Sequence, residues 1–163
     1  MPKDAVTQIV DQWREQRPDL DPSPMGTLGR LSRSSLLVDR ALNALFAQHG
    51  LQASEFDILA TLRRSGHPFT LNPSQLSESL MVNSSTMTNR LDRLEGSGRI
   101  RRVTAIDDRR ALLVELTPKG LKLVDHVVEF HLKNEEEILS VFSENEKKTL
   151  EKLLSKLERH LAQ

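Results

Sequence analysis

The N-terminal part of the chain carries apolar residues at helical spacing. Four of them lie at i, i+3, i+4 and i+7, on one face of an amphipathic helix: Val6, Ile9, Val10 and Trp13. We therefore predict a first helix over residues 3–17, ended by Pro18. Two prolines within residues 19–24 indicate a turn, because proline cannot continue a helix. A longer second helix is predicted over residues 25–48, with Gly50 as its left-handed cap.

Two shorter helices follow, and each has a recognisable start signal. Ser54 is a typical N-cap residue, so a third helix is predicted over residues 55–65. Asn72 and Gln75 have the spacing of a capping box, with a proline at the first helical position between them. A fourth helix is therefore predicted over residues 73–81. Only two residues separate it from the next helix, which is the spacing of a helix-turn-helix.

The next segment combines a polar helix with a β-hairpin. The helix begins at Asn83 and is ended by the glycines of residues 96–98. Two runs over residues 100–104 and 112–116 alternate in polarity and predict the two strands. The tip between them is charged: Asp107, Asp108, Arg109 and Arg110. A polar helix followed directly by a basic-tipped hairpin predicts a reading helix with a wing.

Two long helices are predicted in the C-terminal part. Thr117 and Pro118 start the first, and a capping box of Ser143 and Glu146 starts the second. Both carry apolar stripes: Leu121, Leu123, Val124, Val127, Val128, Leu132, Leu150, Leu153, Leu154, Leu157 and Leu161. Because the first helix has such a face too, we expect the terminal helices to form a homodimer interface. The alternative is that the stripes pack within one monomer.

The distribution of charge matters more than its total. The chain has 23 Lys and Arg against 23 Asp and Glu. From Thr88 to Arg110, however, seven arginines outnumber four acids, whereas from Leu121 onward nine acids outnumber seven Lys and Arg. A basic local surface on a neutral chain is typical of a DNA-binding protein. The absence of tyrosine argues against single-strand binding by base stacking.

The polar helix and the hairpin tip supply candidate DNA contacts. Small polar side chains at a helix N-terminus reach base edges, and arginine binds both bases and phosphates. The candidate DNA-binding residues are Ser84, Ser85, Thr86, Thr88, Asn89, Arg90, Arg93, Arg109 and Arg110. Each helix position could instead be a cap or a solvated surface position. Arg93 could pair with Asp92 or Glu95, and the hairpin arginines could pair with the tip aspartates.

These motifs resemble a known family. The stretch NSSTMTNRLDRLEGSGRIRRV, followed by DDRRALLVELTPKG, is similar to the MarR family of bacterial winged helix-turn-helix transcriptional regulators. The similarity extends from about Met25 to the C-terminus. It implies that the recognition helix enters the major groove and that the wing tip places an arginine in the minor groove. A dimer would then read a pseudo-palindromic double-stranded operator, with half-sites about 34 Å apart.

The sequence also resembles the urate-responsive branch of that family. In that branch an extra N-terminal helix contributes a tryptophan, and an aspartate and a recognition-helix arginine flank a ligand cleft. Trp13, Asp57 and Arg90 stand in the matching positions, so the resemblance implies a small aromatic or purine-like anion such as urate. That branch also carries an asparagine as a polar ligand residue. In this sequence Arg64 and Ser65 occupy the corresponding neighbourhood. The alternatives are a core role for Trp13 and a structural ion pair between Asp57 and Arg90.

The expected fold is mainly α with a small β-hairpin wing, in a dimeric winged helix-turn-helix protein. Residues 1–24 form the extra helix and turn, and residues 25–53 form a dimerisation and linking helix. Residues 54–117 form the DNA-binding domain, and residues 118–163 form the C-terminal dimerisation helices. The expected function is a ligand-responsive regulator, in this family usually a repressor that its ligand releases from the operator. The alternative is a constitutive DNA-binding regulator or activator without a ligand.

Other classes of function are disfavoured. No catalytic residue, cofactor or metal site is expected, because the chain has no cysteine, no Gly-rich phosphate loop and no H-E-x-x-H motif. His126 and His131 are five residues apart, which is not metal-ligand spacing on a helix. A helical scaffold used only for protein contacts would not need a basic wing tip. No signal peptide or membrane span is recognisable, so the expected location is the cytoplasm.

Overall fold

The computed structural model describes residues 4–104 and 112–162. Within these ranges the chain forms helices and strands in the following order: α1 (Ala5–Gln16), α2 (Ser23–Gln48), α3 (Ala53–Arg64), β1 (Thr70–Leu71), α4 (Pro73–Ser79), α5 (Ser84–Gly96), β2 (Ile100–Thr104), β3 (Leu112–Leu116), α6 (Pro118–Ile138) and α7 (Glu144–Leu161). The chain divides into two compact units, Met1–Ala44 and Leu45–Gln163. The architecture is mainly α-helical with one small antiparallel sheet, as the sequence predicts.

In the N-terminal unit, α1 packs on the first turns of α2. Val6 and Val10 are buried, and they lie against Gly29 and Gly26 of α2, where an added Cβ would approach the valine methyl groups to 3.2 and 3.4 Å. The small glycines therefore let the two helices approach closely. Arg30 of α2 adds an ion pair of 2.9 Å to Asp4, the N-cap residue of α1. Asp4 Oδ1 also accepts hydrogen bonds from two backbone amides of the first turn of α1.

Helix α2 begins at Ser23, two residues earlier than predicted, so the turn assignment was wrong at its end. Pro24 lies in the first turn of the helix. A first-turn N–H has no acceptor inside the helix, so a proline there costs no hydrogen bond. The proline that the sequence indicated as a breaker is thus part of the helix start.

Most of α2 is exposed within the single chain. Phe46, near its C-terminal end, is its one buried residue. Six large apolar residues are exposed along it: Met25, Leu28, Leu31, Leu36, Leu37 and Val38. Burial of apolar surface is worth about 25 cal/mol per Å². These exposed side chains are therefore a source of binding free energy that the single chain does not use.

The core of the C-terminal unit joins α3, the helix-turn-helix, the sheet and α6. Its buried apolar residues are Phe46, Leu51, Phe56, Ile58, Leu59, Leu62, Leu76, Met87, Leu91, Leu94, Ile100, Val114, Leu116, Val124 and Val127. The rings of Phe46 and Phe56 stack with centroids 4.5 Å apart, and the His131 ring lies 5.0 Å from Phe56. The helices that carry the site therefore share one hydrophobic core with the hairpin.

The sheet has the order β1-β3-β2, with both pairings antiparallel. Strands β2 and β3 have the predicted bounds, and Ile100 pairs with Leu116 at the base of the hairpin. The two-residue strand β1 was not predicted. It is defined only by its pairing with Val114 and Glu115, which the sequence of β1 itself does not indicate. It places the chain before α4 beside the hairpin.

Local capping signals were read correctly at α4 and α7. Asn72 Oδ1 accepts from the Gln75 backbone amide at 2.8 Å, and the Asn72 backbone amide donates to Gln75 Oε1 at 2.9 Å. Ser143 and Glu146 form the same reciprocal arrangement at α7. Both capping boxes are thereby confirmed. They could be predicted because all partners lie within four residues of each other.

The start of α3 was predicted incorrectly. Ser54 lies inside the helix, and Gln52 is the N-cap residue. The Gln52 amide donates to Glu55 Oε2 at 2.9 Å. Glu55 is buried at the helix start. Its carboxylate pairs an amide that would otherwise be unpaired, and it lies at the positive end of the helix dipole.

Helix α7 buries none of its residues within the single chain. Its exposed apolar residues include Leu153, Leu154 and Leu161. The predicted stripe is therefore present but uncovered. Across the described ranges, none of the helices has both the length and the apolar character needed to cross a membrane.

Candidate nucleic-acid interface

Helices α4 and α5 form the helix-turn-helix. Leu76 of α4 and Met87 of α5 are fully buried, which fixes the two helices against each other. In the connection, Met81 has a φ of +51°, and its side chain is 92% exposed. The amide of the next residue donates to the Ser77 carbonyl at 3.0 Å, which closes the turn.

The start of α5 is stabilised by its own polar side chains. Asn83 Oδ1 accepts from the Thr86 amide at 2.8 Å and from Ser85 Oγ at 2.9 Å. Thr88 Oγ1 donates to the Ser84 carbonyl at 3.0 Å. Several of the small polar residues therefore act as caps as well as presenting polar atoms at the surface. A helix N-terminus that presents amides and hydroxyls in this way is suited to contacting phosphate oxygens.

The remaining candidate residues of α5 differ in exposure. Asn89 is exposed, and no described residue shares a hydrogen bond with its side chain. Arg90 is half-buried. Asn89 is therefore the candidate whose amide group is available for both donor and acceptor contacts, as recognition of an adenine edge requires.

Arg93 bonds to the start of α3. Its Nη1 donates to Gln52 Oε1 at 3.0 Å, and its Nε lies 3.3 Å from Glu55 Oε1. The expected alternative partners on its own helix, Asp92 and Glu95, are not the ones it uses. Arg93 therefore connects α5 to the buried carboxylate that caps α3.

Asp92 and Glu95 instead bind Arg102 of β2. Arg102 Nη2 lies 2.6 Å from Asp92 Oδ1, and Nη1 lies 2.5 Å from Glu95 Oε2. The Arg102 amide donates to Glu95 Oε1 at 2.9 Å. Partial burial by itself lowers the pKa of Arg102, but the bonds to the two carboxylates outweigh it and raise the pKa. We call these three residues the α5–wing ion cluster.

The neighbouring pair on the wing is more exposed. Arg101 makes two hydrogen bonds, of 2.9 and 3.0 Å, to the carboxylate of Glu115 on β3. These bonds raise the pKa of Arg101. The tip of the wing, with Arg109 and Arg110, lies outside the described residues.

Replacing Arg102 with alanine should lower the free energy of unfolding by about 1 to 3 kcal/mol, because two carboxylates lose a half-buried partner. Arg101→Ala is the matched control. It removes an exposed cross-strand pair and should cost less than about 1 kcal/mol. Urea denaturation measures both. Equal losses would show that the α5–wing ion cluster contributes no more than an ordinary surface ion pair.

Asp57, on α3, is exposed but closely surrounded by protein atoms. This desolvation raises the pKa of its carboxyl group, while the charges of Arg90, His131 and Arg64 act in the opposite direction. No ion pair or hydrogen bond joins Asp57 to Arg90 among the described residues, so the alternative of a structural ion pair between them is not formed in the single chain. Arg90 instead interacts with Asp57 through charge over a longer distance.

The third candidate ligand residue, Trp13, lies on α1 in the N-terminal unit. Its side chain is 43% exposed. The alternative of a core tryptophan is therefore wrong for the single chain. Among the described residues no group of three or more metal-ligating side chains is present.

Comparison with known proteins identifies the family. A model of the MarR family matches residues 51–112. The HTH-type transcriptional regulator PecS of Dickeya dadantii is 54% identical over 156 residues, which cover 96% of this chain and 94% of PecS. The multiple antibiotic resistance protein MarR of Salmonella typhimurium is 31% identical over 120 residues, covering 73% and 81% of the two chains.

Solved structures show the same fold. A mutant of MarR from E. coli, crystallised in complex with operator DNA, superposes with a TM-score of 0.72. The identity is 27%, and the match covers 89% of this chain and 96% of that one. With the helix-turn-helix and wing described above, the near-complete match to PecS shows that this chain belongs to the MarR family of winged helix-turn-helix transcriptional regulators.

Proposed function

We propose that this regulator binds double-stranded operator DNA in a sequence-specific manner, with the start of α5 in the major groove and the wing in the minor groove. The observation that carries the proposal is the exposed polar start of α5, held rigidly to the wing by the α5–wing ion cluster. A protein that contacts both DNA grooves needs α5 and the wing at a fixed spacing. The MarR structure described as complexed with operator DNA supports the same use of this fold.

The proposed contacts fall into two groups. Asn89, Thr86 and Arg90 are proposed to reach base edges, since they lie along α5 beyond its capping residues. The residues proposed to hold phosphates or the minor groove are Ser84, Ser85, Thr88, Arg93, Arg109 and Arg110. Base contacts determine specificity, whereas the second group should contribute to binding of any duplex.

Asn89→Ala should weaken binding to the operator by about 1 to 3 kcal/mol and leave binding to random duplex DNA nearly unchanged, because a base contact is lost. Fluorescence anisotropy with the chain's own upstream DNA, at a fixed salt concentration, measures both. Asn145→Ala, an exposed asparagine on α7, is the control and should change neither. Equal losses on operator and random DNA would assign Asn89 to the DNA backbone.

We also propose a homodimer as the DNA-binding form. Helix α2 and helix α7 leave large apolar residues exposed in the single chain. A stable interface buries about 1,200 to 2,000 Å² in total, and these faces supply apolar surface for it. Two-fold symmetry would place two copies of α5 about one DNA turn apart, on the two halves of a pseudo-palindrome.

The finer proposal is a repressor that a small aromatic or purine-like anion, such as urate, releases from its operator. Arg90 lies on the helix proposed to read DNA and also interacts with Asp57. An anion that attracts Arg90 and is repelled by Asp57 would favour a different position of α5. The ligand can shift the DNA-bound population only by its difference in affinity for the two states.

Titration with urate, xanthine and salicylate tests the ligand. Trp13 is the single tryptophan of the chain, so its emission reports changes around α1. We expect saturable quenching and release of operator DNA, and both should weaken in Asp57→Asn. Trp13→Phe removes the fluorescent group, so for this variant only the release of operator DNA is measured, and it should weaken. If none of the three anions binds below about millimolar concentration, the alternative of a constitutive regulator or activator without a small-molecule ligand holds.

A further inference from the structure

A basic groove lies at the base of the wing, away from the candidate DNA contacts. Its lining consists of Arg99, which precedes β2, and residues from the first turns of α6: Lys119, Lys122, Leu123 and His126. The four α6 residues have the spacing of one helix face. The groove is open to solvent and has a volume of about 440 Å³, which is large enough to admit a small molecule.

No carboxylate lies among these lining residues. Several arginines elsewhere in the described part of the chain are paired with acids, as in the α5–wing ion cluster and in the pair of Arg63 with Asp125. By contrast, Arg99, Lys119 and Lys122 form no ion pair with any described residue. Three positive charges thus share one groove on a chain whose total charge is zero.

Arg99 and Lys119 are held by neutral acceptors, which leave their charge uncompensated. Arg99 Nη2 donates to the Gly50 carbonyl at 2.9 Å, and Lys119 Nζ donates to the Ser97 carbonyl at 2.7 Å. Arg99 Nε is buried and has no hydrogen-bond partner among the described residues. An unsatisfied buried donor is costly. An anion in the groove would stabilise this guanidinium by its charge.

Hydrogen bonds and a ring contact hold parts of the groove lining in place. Thr117 Oγ1 donates to the carbonyls of Gly98 and Arg99, at 2.8 and 3.1 Å, which ties the start of α6 to the segment before β2. The His126 ring packs 4.9 Å from the Phe130 ring. Because Arg99 and Lys119 are already held by hydrogen bonds, little cost of ordering these two side chains opposes the electrostatic attraction.

We propose that this groove binds a small polyanion with several phosphate or carboxylate oxygens. Such a ligand matches three cations at a helix start, where the backbone dipole also favours negative charge. DNA is the less suitable occupant. Arg99 follows the C-terminal end of the 13-residue α5, whereas the candidate base contacts Thr86, Asn89 and Arg90 begin near its N-terminal end and reach only its middle.

Isothermal titration calorimetry of the full chain with pyrophosphate and with citrate, at constant ionic strength in KCl, tests the proposal. We expect saturable binding of at least one of them, weakened about tenfold or more in the double variant Lys119→Ala, Lys122→Ala. The double variant Lys147→Ala, Lys148→Ala on α7 removes the same charge and should bind as the unchanged protein does. Binding of pyrophosphate alone identifies a phosphate ligand, and binding of both identifies a general polyanion site.

Other outcomes overturn the proposal. Absence of saturable binding for both anions would do so, as would equal weakening in the two double variants. If the groove variant instead loses affinity for duplex DNA while the unchanged protein binds neither anion, the groove contacts the DNA backbone. Thermal unfolding of each variant checks that the fold is retained, and Lys122→Ala alone preserves the bond of Lys119 to Ser97 if the double variant is unstable.

Discussion

Gly120→Ala should destabilise the protein by about 3 kcal/mol or more. Gly120 is buried in the first turn of α6, and a Cβ at this position would lie 1.9 Å from the Arg99 carbonyl oxygen and 2.9 Å from its carbon. Both are backbone atoms, so no side-chain rotation can relieve the overlap. The start of α6 would have to separate from the base of the wing, which would break the bonds of Thr117 to that segment.

Gly96→Ala is the matched control for Gly120→Ala. It places the same methyl group at the last residue of α5, where nothing lies within 4 Å. Because alanine restricts the unfolded chain and favours the helix, this variant should be unchanged or up to about 1 kcal/mol more stable. Urea denaturation measures the free energy of unfolding of the two variants. A Gly120→Ala variant as stable as Gly96→Ala would show that the two backbone segments are not in contact.

Leu154→Glu should reduce operator affinity on the order of 100-fold or more without altering α5 or the wing. Leu154 lies on α7, which buries nothing within the single chain. If α7 closes the proposed dimer, a charge there prevents association, and a monomer can occupy only one half-site. Analytical ultracentrifugation measures the assembly, and fluorescence anisotropy measures operator binding.

Lys152→Glu controls for the added charge. It places a glutamate on an exposed polar position of the same helix, so it should remain dimeric and keep operator affinity within a few-fold. Circular dichroism of both variants establishes that α7 is still helical. Tight operator binding by a Leu154→Glu protein shown to be monomeric would reject the dimer as the DNA-binding form.

The parts of the fold that depend on neighbours in sequence could be predicted. The capping boxes at Asn72 and Ser143 and the two hairpin strands all follow from residues within a few positions of each other. The resemblance to the MarR family is confirmed by the match to PecS. The residue types at the start of α5 were enough to indicate a DNA reader.

What depended on distant partners could not be predicted. Arg93 bonds to Gln52 and Glu55, about forty positions away in sequence, while its nearer acids bind Arg102. From the sequence Arg102 was one basic residue among seven. The sequence did contain a signal for this cluster. Asp92 and Glu95 lie three positions apart on one helix face, and Arg102 follows on the next strand.

The α5–wing ion cluster also restricts how the regulator can dissociate from DNA. Asp92 and Glu95 lie on successive turns of α5, and both hold the same guanidinium on β2. A shift of α5 therefore carries the wing with it as one rigid piece. If the proposed contacts in the two DNA grooves form, they should then be lost together, and we expect no half-bound state with the wing alone still attached.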